Sequence, residues 1–154
     1  MTDWNARYMA LAAHVATWSK DRSTKVGSVI IGSEREIVSV GYNGFARGVS
    51  DDHPERHERP LKYRLTVHSE LNSVLNAGRV GAKILGCTMY VTAMPCANCA
   101  SVVVNAGINK LFVPKWDRHD PMFDRWREDW EWAEVILREG KVVVTFLERN
   151  TCQA

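Results

Sequence analysis

The sequence predicts an α/β fold, a three-layer α-β-α sandwich around one mixed five-stranded sheet. Short β-rich segments alternate with segments of helical periodicity along most of the chain. Strands separated by helices favour parallel pairing with right-handed crossovers, whereas the first two predicted strands follow each other directly and favour antiparallel pairing. With 154 residues, the chain is expected to form a single domain over residues 1–154.

The chain is predicted to open with an amphipathic helix over residues 3–20, with Thr2 or Asp3 as its N-cap. Apolar residues recur in this segment at helical spacing, so they are predicted to face the core as one stripe. The stripe comprises Trp4, Tyr8, Leu11, Val15 and Trp18.

Two β-rich segments, residues 26–31 and 37–41, flank the polar turn 32–35 and predict an antiparallel hairpin. The run Gly41-Tyr42-Asn43-Gly44 then predicts a turn, because glycine permits positive φ and asparagine tolerates it. Residues 45–64 are polar and charged and have no clear assignment. A segment of that length in a compact domain is usually functional or mobile, so it is expected to form one wall of a site.

The second half of the chain is predicted to alternate helices with strands. These elements are helix 66–77, strand 87–92, helix 96–106, strand 110–114, a helix opening at Asp120-Pro121, and strand 141–147.

Caps and apolar spacing support these helices. Thr66 is the predicted cap of the first, and Gly78, Gly107 and Gly140 are the predicted stops of the three. Helical spacing predicts an inward face for each helix. The inward residues are Leu71, Val74 and Leu75 in the first, Val103 in the second, and Trp126, Trp130, Ala133 and Leu137 in the third.

Composition excludes several classes of protein. No apolar run approaches the ~20 residues of a membrane span, and the N-terminus lacks the layout of a signal peptide, so a cytoplasmic protein without a membrane partner is expected. A net charge of +2 without a basic run argues against a nucleic-acid partner. Of the four cysteines, Cys87 and Cys152 are predicted to be free thiols.

Two short motifs are predicted to carry the chemistry, His68-Ser69-Glu70 and Pro95-Cys96-Ala97-Asn98-Cys99. His68, Cys96 and Cys99 are three good zinc ligands, and three protein ligands leave a fourth position open for water, as in catalytic zinc sites. Pro95 suits a first helical turn, whose unpaired N–H groups favour thiolates. Glu70 lies two residues from His68 and points in another direction, so it is predicted to be the catalytic proton carrier beside the metal.

The pair H-x-E and P-C-x-x-C is the signature of zinc-dependent deaminases of nucleobases. In that chemistry zinc supplies hydroxide near neutral pH, which attacks C4 of cytosine. Glu70 is expected to accept the water proton, to deliver it to N3 and to help protonate the departing ammonia. The alternative is a closed structural zinc site, but nothing supplies a fourth ligand at motif distance, and Glu70 would then have no role.

His53 and His57 form a second candidate metal pair by their spacing. Pro54 disfavours the helical geometry that makes this spacing useful, and no cysteine lies nearby to complete a ligand set. The favoured interpretation is a solvated loop at a subunit contact.

Beyond the signature, the chain resembles the deoxycytidylate (dCMP) deaminases along nearly its whole length, which implies a cytidine deaminase-like fold. Several of the matching segments lie outside the metal motifs and separate this family from cytosine, adenosine and guanine deaminases. The matching segments are Ser19-Lys20-Asp21, Val26-Gly27, Gly41-Tyr42-Asn43-Gly44, Lys62-Tyr63, His68-Ser69-Glu70-Leu71-Asn72, Gly86-Cys87-Thr88-Met89-Tyr90-Val91, the Pro-Cys motif, Ala106-Gly107-Ile108 and, more weakly, His119-Asp120.

The resemblance implies zinc-dependent hydrolysis of dCMP to dUMP and ammonia, which supplies dUMP for thymidylate synthesis. It also implies a homohexamer that dCTP activates and dTTP inhibits at a site between subunits, to which the loop from Phe45 onward is expected to contribute. A related substrate, such as dCTP, a 5-substituted dCMP or a free nucleoside, remains the alternative, since it would use the same catalytic residues.

The resemblance also suggests substrate contacts. It implies that Asn43 contacts the sugar or a neighbouring phosphate, with a pure turn role as the alternative. The candidate cations for the phosphate are Arg22, Lys25, Arg47 and His119, although surface charge is the ordinary fate of such residues.

Three residues depart from the family pattern. Ser28 and Ser69 stand where the family usually has Ala, so the pocket floor at these positions is expected to be slightly more polar. Asp21 stands where some phage members have a cysteine ligand for a second, structural zinc, so that second metal is not expected here.

Two other classes of function remain as competing interpretations. A nucleic-acid editing domain would need a basic groove that follows the strand, and the near-neutral charge argues against it. A non-catalytic zinc-binding interaction module would bind zinc without converting dCMP.

Overall fold

The structure is a computed structural model that describes residues 3–117, 119 and 121–148. Within these residues, helices and strands alternate in nearly the predicted order. The elements are α1 (Trp4–Ala16), β1 (Gly27–Ile31), β2 (Ile37–Tyr42), β3 (Gly44–Phe45), a 3₁₀ helix (Pro54–His57), α2 (Lys62–Leu65), β4 (Thr66–Val67), α3 (Ser69–Val80), β5 (Thr88–Val91), α4 (Ala97–Asn105), β6 (Lys110–Pro114), α5 (Pro121–Glu139) and β7 (Val143–Leu147). None of the described helices has the length and apolarity that a membrane crossing requires.

Five of the strands form one mixed sheet in the order β2-β1-β5-β6-β7. The hairpin β1-β2 is antiparallel, with Val29 opposite Val40, and β1 is also antiparallel to β5. The pairs β5-β6 and β6-β7 are parallel, because a helix crosses over between each pair of strands. The predicted mixed five-stranded sheet is therefore confirmed.

Helices cover both faces of the sheet and complete the three predicted layers. α1 packs on one face, where its core residues include Met9 and Val15. α4 and α5 pack on the other face, where Val103 and Leu137 are completely buried against Met89 of β5. α3 lies on that same face above β1 and β2, since Ser28 and Ser39 of these strands bond to it.

The predicted stripe of α1 is confirmed at Tyr8 and Val15, which are buried, but not at its two tryptophans. Trp4 is 38% exposed, and Trp18, two residues beyond the end of α1, is 49% exposed. A Cβ added to Gly27 would clash with the backbone of Ala12 and Ala16, so α1 approaches β1 most closely at these two small residues. The buried residues of α1 are Tyr8, Met9, Ala12, Val15 and Ala16.

The start, the end and the inward face of α3 also differ from the prediction. Thr66 pairs with Phe45 in the small β3-β4 sheet, and His68 is the N-cap of α3. The helix continues through Gly78 and ends at Gly81, which has a left-handed φ of 70°. Leu75 is 51% exposed, contrary to its predicted inward position. The buried residues of α3 are Ser69, Glu70, Ser73 and Ala77.

The small inward face of α3 allows a close approach to β2. A Cβ added to Gly41 would lie 2.4 Å from both the Ser69 carbonyl oxygen and the Ser73 amide nitrogen. Serine hydroxyls satisfy the buried polar groups at this contact: Ser28 donates to the Ser69 carbonyl at 2.8 Å, and Ser39 donates to the Ser73 carbonyl at 2.7 Å. These contacts place the first turn of α3 on the sheet.

Substitution of Gly41 by Ala should therefore lower stability by about 1–3 kcal/mol, because backbone atoms of α3 must move to admit the methyl group. Thermal unfolding measures the effect, and a loss of several degrees in Tm is expected. Gly78→Ala is the matched control, since open space surrounds Gly78 inside the same helix, and it should be neutral or raise stability by about 0.5–1 kcal/mol. Equal melting temperatures for the two variants would contradict this packing.

The remaining predictions concern the helix stops and the free cysteines. Gly107 follows α4 with a positive φ of 76°, as expected for a helix stop. After α5 the residue with positive φ is Lys141, one position beyond the predicted stop Gly140. Cys87 is a buried free thiol, as predicted. Thr2, Asp120 and Cys152 lie outside the described residues.

Candidate active site

The two motifs meet where two helices begin. His68 is the N-cap of α3, and Cys96 is the N-cap of α4, with Cys99 in the first turn of α4. The His68 Nδ1 atom lies 3.5 Å from the Sγ atoms of both Cys96 and Cys99. The ligand atoms of these three residues all lie within 4.8 Å of one another. Among the described residues, no further His, Cys, Asp or Glu belongs to this group.

The geometry of this group fits a zinc ion. Zinc bonds of about 2.3 Å to sulfur and about 2.0 Å to nitrogen, at a tetrahedral angle, place sulfur and nitrogen roughly 3.5 Å apart. The two observed separations of 3.5 Å agree with that value. One imidazole and two thiols are also a donor set that zinc prefers.

The charges of the three residues are linked. Hydrogen bonds from Cys99 and His68 lower the pKa of the Cys96 thiol, and the same contact with Cys96 raises the pKa of Cys99. The contact with Cys96 also raises the pKa of the His68 imidazole. These contacts favour a thiolate at Cys96, and a cation held between the two sulfur atoms would stabilise both thiolates.

Glu70 lies beside this group but is not one of its members. The side chain is almost completely buried, at 4% exposure, and burial raises the pKa of its carboxyl group. The Ser69 hydroxyl donates a hydrogen bond to Glu70 Oε2 at 2.9 Å. A raised pKa makes a carboxyl group a stronger base and brings it closer to the two roles of general base and general acid.

A cavity of about 740 Å³ opens over His68, Glu70 and Cys96. It lies at the edge of the sheet where β2 and β5 end and β1 begins, since Val26, Asn43 and Met94 line it. Its lining combines apolar side chains with a few polar and charged groups, as small-molecule sites do.

The N-terminal half of α5 forms the outer wall of this cavity and also supports the metal group. Met122, Arg125, Trp126 and Trp130 line the cavity. The ring of Trp126 packs edge-on against the His68 ring, with centroids 6.4 Å apart. Asp129 Oδ2 accepts a hydrogen bond from the Ala97 amide at 3.3 Å, so α5 also holds the start of α4.

A nearly buried ion pair forms another part of the wall. Lys62 Nζ lies 3.0 Å from Asp21 Oδ2, and the two side chains are only 9% and 11% exposed. Burial raises the pKa of Asp21, but hydrogen bonds from the Thr24 and Ser23 amides and from Lys62 outweigh it and lower this pKa to about 2. Asp21 is thus held in an ion pair with Lys62 in this structure.

Substitution of Asp21 by Asn should lower stability by about 3–5 kcal/mol, because it leaves the Lys62 charge buried without a partner. The double variant Asp21→Asn, Lys62→Met should recover part of this loss. Urea unfolding measures both values. Asp51→Asn is the control, since it breaks an exposed Lys–Asp pair of similar length, Lys20–Asp51 at 2.9 Å, and should leave the unfolding midpoint nearly unchanged.

The same ion pair predicts a dependence of stability on pH. The pKa of Asp21 is lower in the folded state, so its contribution is complete above the unfolded pKa near 4 and is lost as the pH falls through about 2. The double variant should therefore lose less stability than the wild type between pH 5 and pH 2. Parallel pH dependences of the two proteins would contradict the assignment.

The structure brings few of the predicted substrate contacts to the cavity. Asn43 lines the cavity, where its Oδ1 accepts from the Val26 amide at 2.8 Å and its Nδ2 donates to the Thr24 carbonyl at 2.9 Å. Ser28 is completely buried beneath α3 and does not line the cavity, so it is not a substrate contact in this structure. The four candidate cations are exposed and do not line this cavity, namely Arg22, Lys25, Arg47 and His119.

The loop histidines make separate contacts. His53 lies 3.5 Å from Glu55, whereas the His57 ring stacks on Phe45 at 4.9 Å and contacts the Asp51 carbonyl oxygen. Within the described residues, the group with metal-ligand geometry is the one at His68 and the two cysteines. The structure thus favours the loop interpretation over a second metal site.

The cavity residues that the sequence analysis did not assign to the site include Arg59, Lys62, Arg125 and Trp126. Lys62 belonged to a matching segment without an assigned role, and Trp126 was assigned to a core face. The same periodicity marks a core and a cavity wall, because both need apolar side chains on one side of a helix.

The fold and the site together define a class of protein, the zinc-dependent hydrolytic deaminases. In this class one imidazole, two thiols and a buried carboxyl group meet at the starts of two helices of a three-layer fold. Residues 2–115 match the family described as "Cytidine and deoxycytidylate deaminase zinc-binding region", and the chain belongs to this family. The matched part contains both motifs, whereas α5 lies beyond it.

Relatives and solved structures agree with this membership. The chain is 39% identical over 147 residues to "Uncharacterized deaminase in luxG 3'region" of Aliivibrio fischeri, covering 96% of this chain and 95% of the relative. It is 37% identical over 123 residues to the deoxycytidylate deaminase of Homo sapiens, covering 77% and 68%. The crystal structure of the dCMP deaminase of cyanophage S-TIM5 with dCMP and dUMP has the same fold, with a TM-score of 0.73, 19% identity and coverage of 96% and 100%.

Proposed function

We propose that this protein catalyses the hydrolytic deamination of dCMP to dUMP and ammonia, and so supplies dUMP for thymidylate synthesis. The observation that carries this proposal is the buried Glu70 carboxyl group, which shares one cavity with His68 and Cys96 without belonging to the metal group. The relatives that are named deoxycytidylate deaminases support the choice of substrate. Zinc is the cofactor, with His68, Cys96 and Cys99 as its ligands.

A zinc ion held by His68, Cys96 and Cys99 would lower the pKa of a bound water and so supply hydroxide near neutral pH. The chain's own residues perform the proton transfers. The Glu70 carboxylate accepts one proton of the attacking water and delivers it to N3 of the cytosine ring as the water oxygen bonds to C4. Glu70 then takes the proton of the new C4 hydroxyl group and passes it to the amino group, so that the C4–N bond breaks, a C4=O bond forms and ammonia leaves. The hydrogen bond from Ser69 holds the carboxylate in place during these transfers.

Asn43 is proposed to contact the sugar of the substrate. Its two hydrogen bonds to the backbone fix the orientation of the amide, and both amide atoms retain further bonding capacity. Trp126, half-buried against His68, and Met94 offer the base an apolar surface. Each of these side chains is held by the fold, as a substrate-positioning group must be.

Incubation of the purified protein with dCMP tests the proposal. The expected result is a loss of cytosine absorbance with release of one ammonia per dUMP formed. Parallel assays with dCTP, deoxycytidine and 5-methyl-dCMP rank the substrates, and the highest kcat/KM is expected for dCMP. Higher kcat/KM for dCTP or 5-methyl-dCMP would identify the alternative substrate, and no turnover of any of them would exclude the enzyme.

The resemblance to the dCMP deaminases also leads to a proposal about the regulation and the oligomeric state of the protein. The enzyme is proposed to be a cytoplasmic homohexamer of single-domain chains, activated by dCTP and inhibited by dTTP. A second cavity of about 750 Å³ supports an effector site, since it combines aromatic and cationic side chains and shares Asp21, Lys62 and Thr66 with the first cavity. It is lined by the loop residues Phe45, Arg47 and His57, together with Trp18, Lys20 and Tyr42. Assays of dCMP turnover with added dCTP or dTTP test this regulation.

A further inference from the structure

The charges around the catalytic cavity leave two free cations. Among the described residues, the cationic side chains that line it are Arg59, Lys62 and Arg125. Lys62 is neutralised by Asp21 at 3.0 Å. Within the described part of the chain, no ion pair includes Arg59 or Arg125. The Asp21–Lys62 pair is therefore part of the cavity wall, and the two guanidinium groups of Arg59 and Arg125 remain to bind a ligand.

These two arginines line the solvent-exposed mouth of the cavity, whereas Glu70 lies in its buried part. Glu70 is 4% exposed, and Arg59 and Arg125 are both exposed. In a cytosine nucleotide the amino group that leaves and the 5′-phosphate are at opposite ends of the molecule. A substrate whose C4 is placed beside Glu70 therefore extends its sugar and phosphate toward the mouth.

Contacts with the rest of the protein fix the segments that contain Arg59 and Arg125. Arg59 lies over the Tyr63 ring, 5.8 Å from its centroid, and Tyr63 belongs to the helix that the ion pair holds in place. Arg125 precedes Trp126, which packs on His68, so the same turn of α5 contacts the metal group and presents a cation. Guanidinium groups bind phosphate through paired, charge-assisted hydrogen bonds.

We propose that Arg125 and Arg59 together bind the 5′-phosphate of the substrate and so select a nucleoside monophosphate over the free nucleoside, an assignment that rests on the proposed deamination of dCMP. Two guanidinium charges match the charge of −1.5 to −2 that a phosphomonoester carries at pH 7. The specificity for a nucleotide then depends on α5, which lies beyond the part of the chain that matches the family.

The test compares kcat/KM for dCMP and for deoxycytidine in the wild type, Arg125→Gln and Arg59→Gln. Each variant should lose roughly 10- to 100-fold in kcat/KM for dCMP, mainly through KM, because a charge-assisted hydrogen bond to phosphate is lost. Deoxycytidine turnover should change by less than about 2-fold, since the catalytic groups are untouched. Arg125→Lys should recover part of the loss, because it keeps the charge without the paired geometry.

Arg127→Gln is the matched control, since Arg127 is an exposed arginine on the same helix that does not line the cavity. It should leave both substrates unchanged. The proposal is overturned if Arg125→Gln lowers turnover of dCMP and deoxycytidine by the same factor, or if it leaves dCMP turnover within about 2-fold of the wild type.

Calorimetric binding of dUMP and deoxyuridine separates this proposal from the proposed function, since it requires no turnover. Weaker binding of dUMP to Arg125→Gln, with unchanged binding of deoxyuridine, supports the phosphate site. If that result were obtained with a wild type that releases no ammonia from dCMP, the phosphate site would stand and the deaminase function would fail.

Discussion

Glu70→Gln should lower kcat for dCMP by roughly 10³- to 10⁴-fold while zinc remains bound. A carboxamide keeps the size of the side chain and can still accept the hydrogen bond from Ser69, but it cannot take up and release a proton. Because the carboxyl group is almost completely buried and burial raises its pKa, the neutral amide should not lower the stability of the fold. The measurements are dCMP turnover, zinc content and thermal unfolding of the same preparation.

Glu139→Gln is the matched control, since Glu139 is an exposed glutamate at the end of α5. This variant should have the kcat and zinc content of the wild type. If Glu70→Gln kept more than about a tenth of the wild-type kcat, Glu70 would not be the proton carrier. If it lost zinc together with activity, Glu70 would have to be assigned to the metal group instead.

Cys99→Ser should release zinc and abolish turnover together. Cys99 is buried in the first turn of α4, where its Sγ lies 3.5 Å from His68 Nδ1. A hydroxyl group does not ionise near neutral pH and is a poor ligand for zinc, so the affinity for zinc should fall by more than about 100-fold. Zinc content after dialysis against a chelator and kcat/KM for dCMP measure the two losses.

Cys87→Ala is the control for Cys99→Ser, because it also removes a buried thiol group. Cys87 is also a buried thiol, but it lies at the start of β5 and its Sγ contacts the Lys83 carbonyl. The variant should keep its zinc and its turnover, with at most a modest loss of stability. Full zinc occupancy in Cys99→Ser would show that the metal is held elsewhere.

Sequence patterns predicted the element order and the reactive groups because both are local. The two motifs place their ligands within a few residues of a helix start, and the backbone geometry of a helix start then sets their directions. Strands that alternate with helices have few ways to pack, which is why the mixed sheet was predictable. The helix faces were less predictable, because apolar spacing does not reveal how closely a helix approaches its sheet. At α3, and at Ala12 and Ala16 of α1, the contact is so close that small side chains face the sheet, whereas Leu75 and Trp4 are exposed.

The sequence alone determined the reactive groups of the site. These are the metal ligands His68, Cys96 and Cys99 and the carboxyl group of Glu70 beside them. Only the tertiary structure decided which cations line the cavity. Arg22 and Lys25 lie on the surface, whereas arginines from two distant segments line the cavity. The physical reason is that a lysine or arginine looks the same in a sequence whether solvent or a partner surrounds it. Pairs such as Asp21 and Lys62, which are 41 residues apart, exist only once the chain is folded.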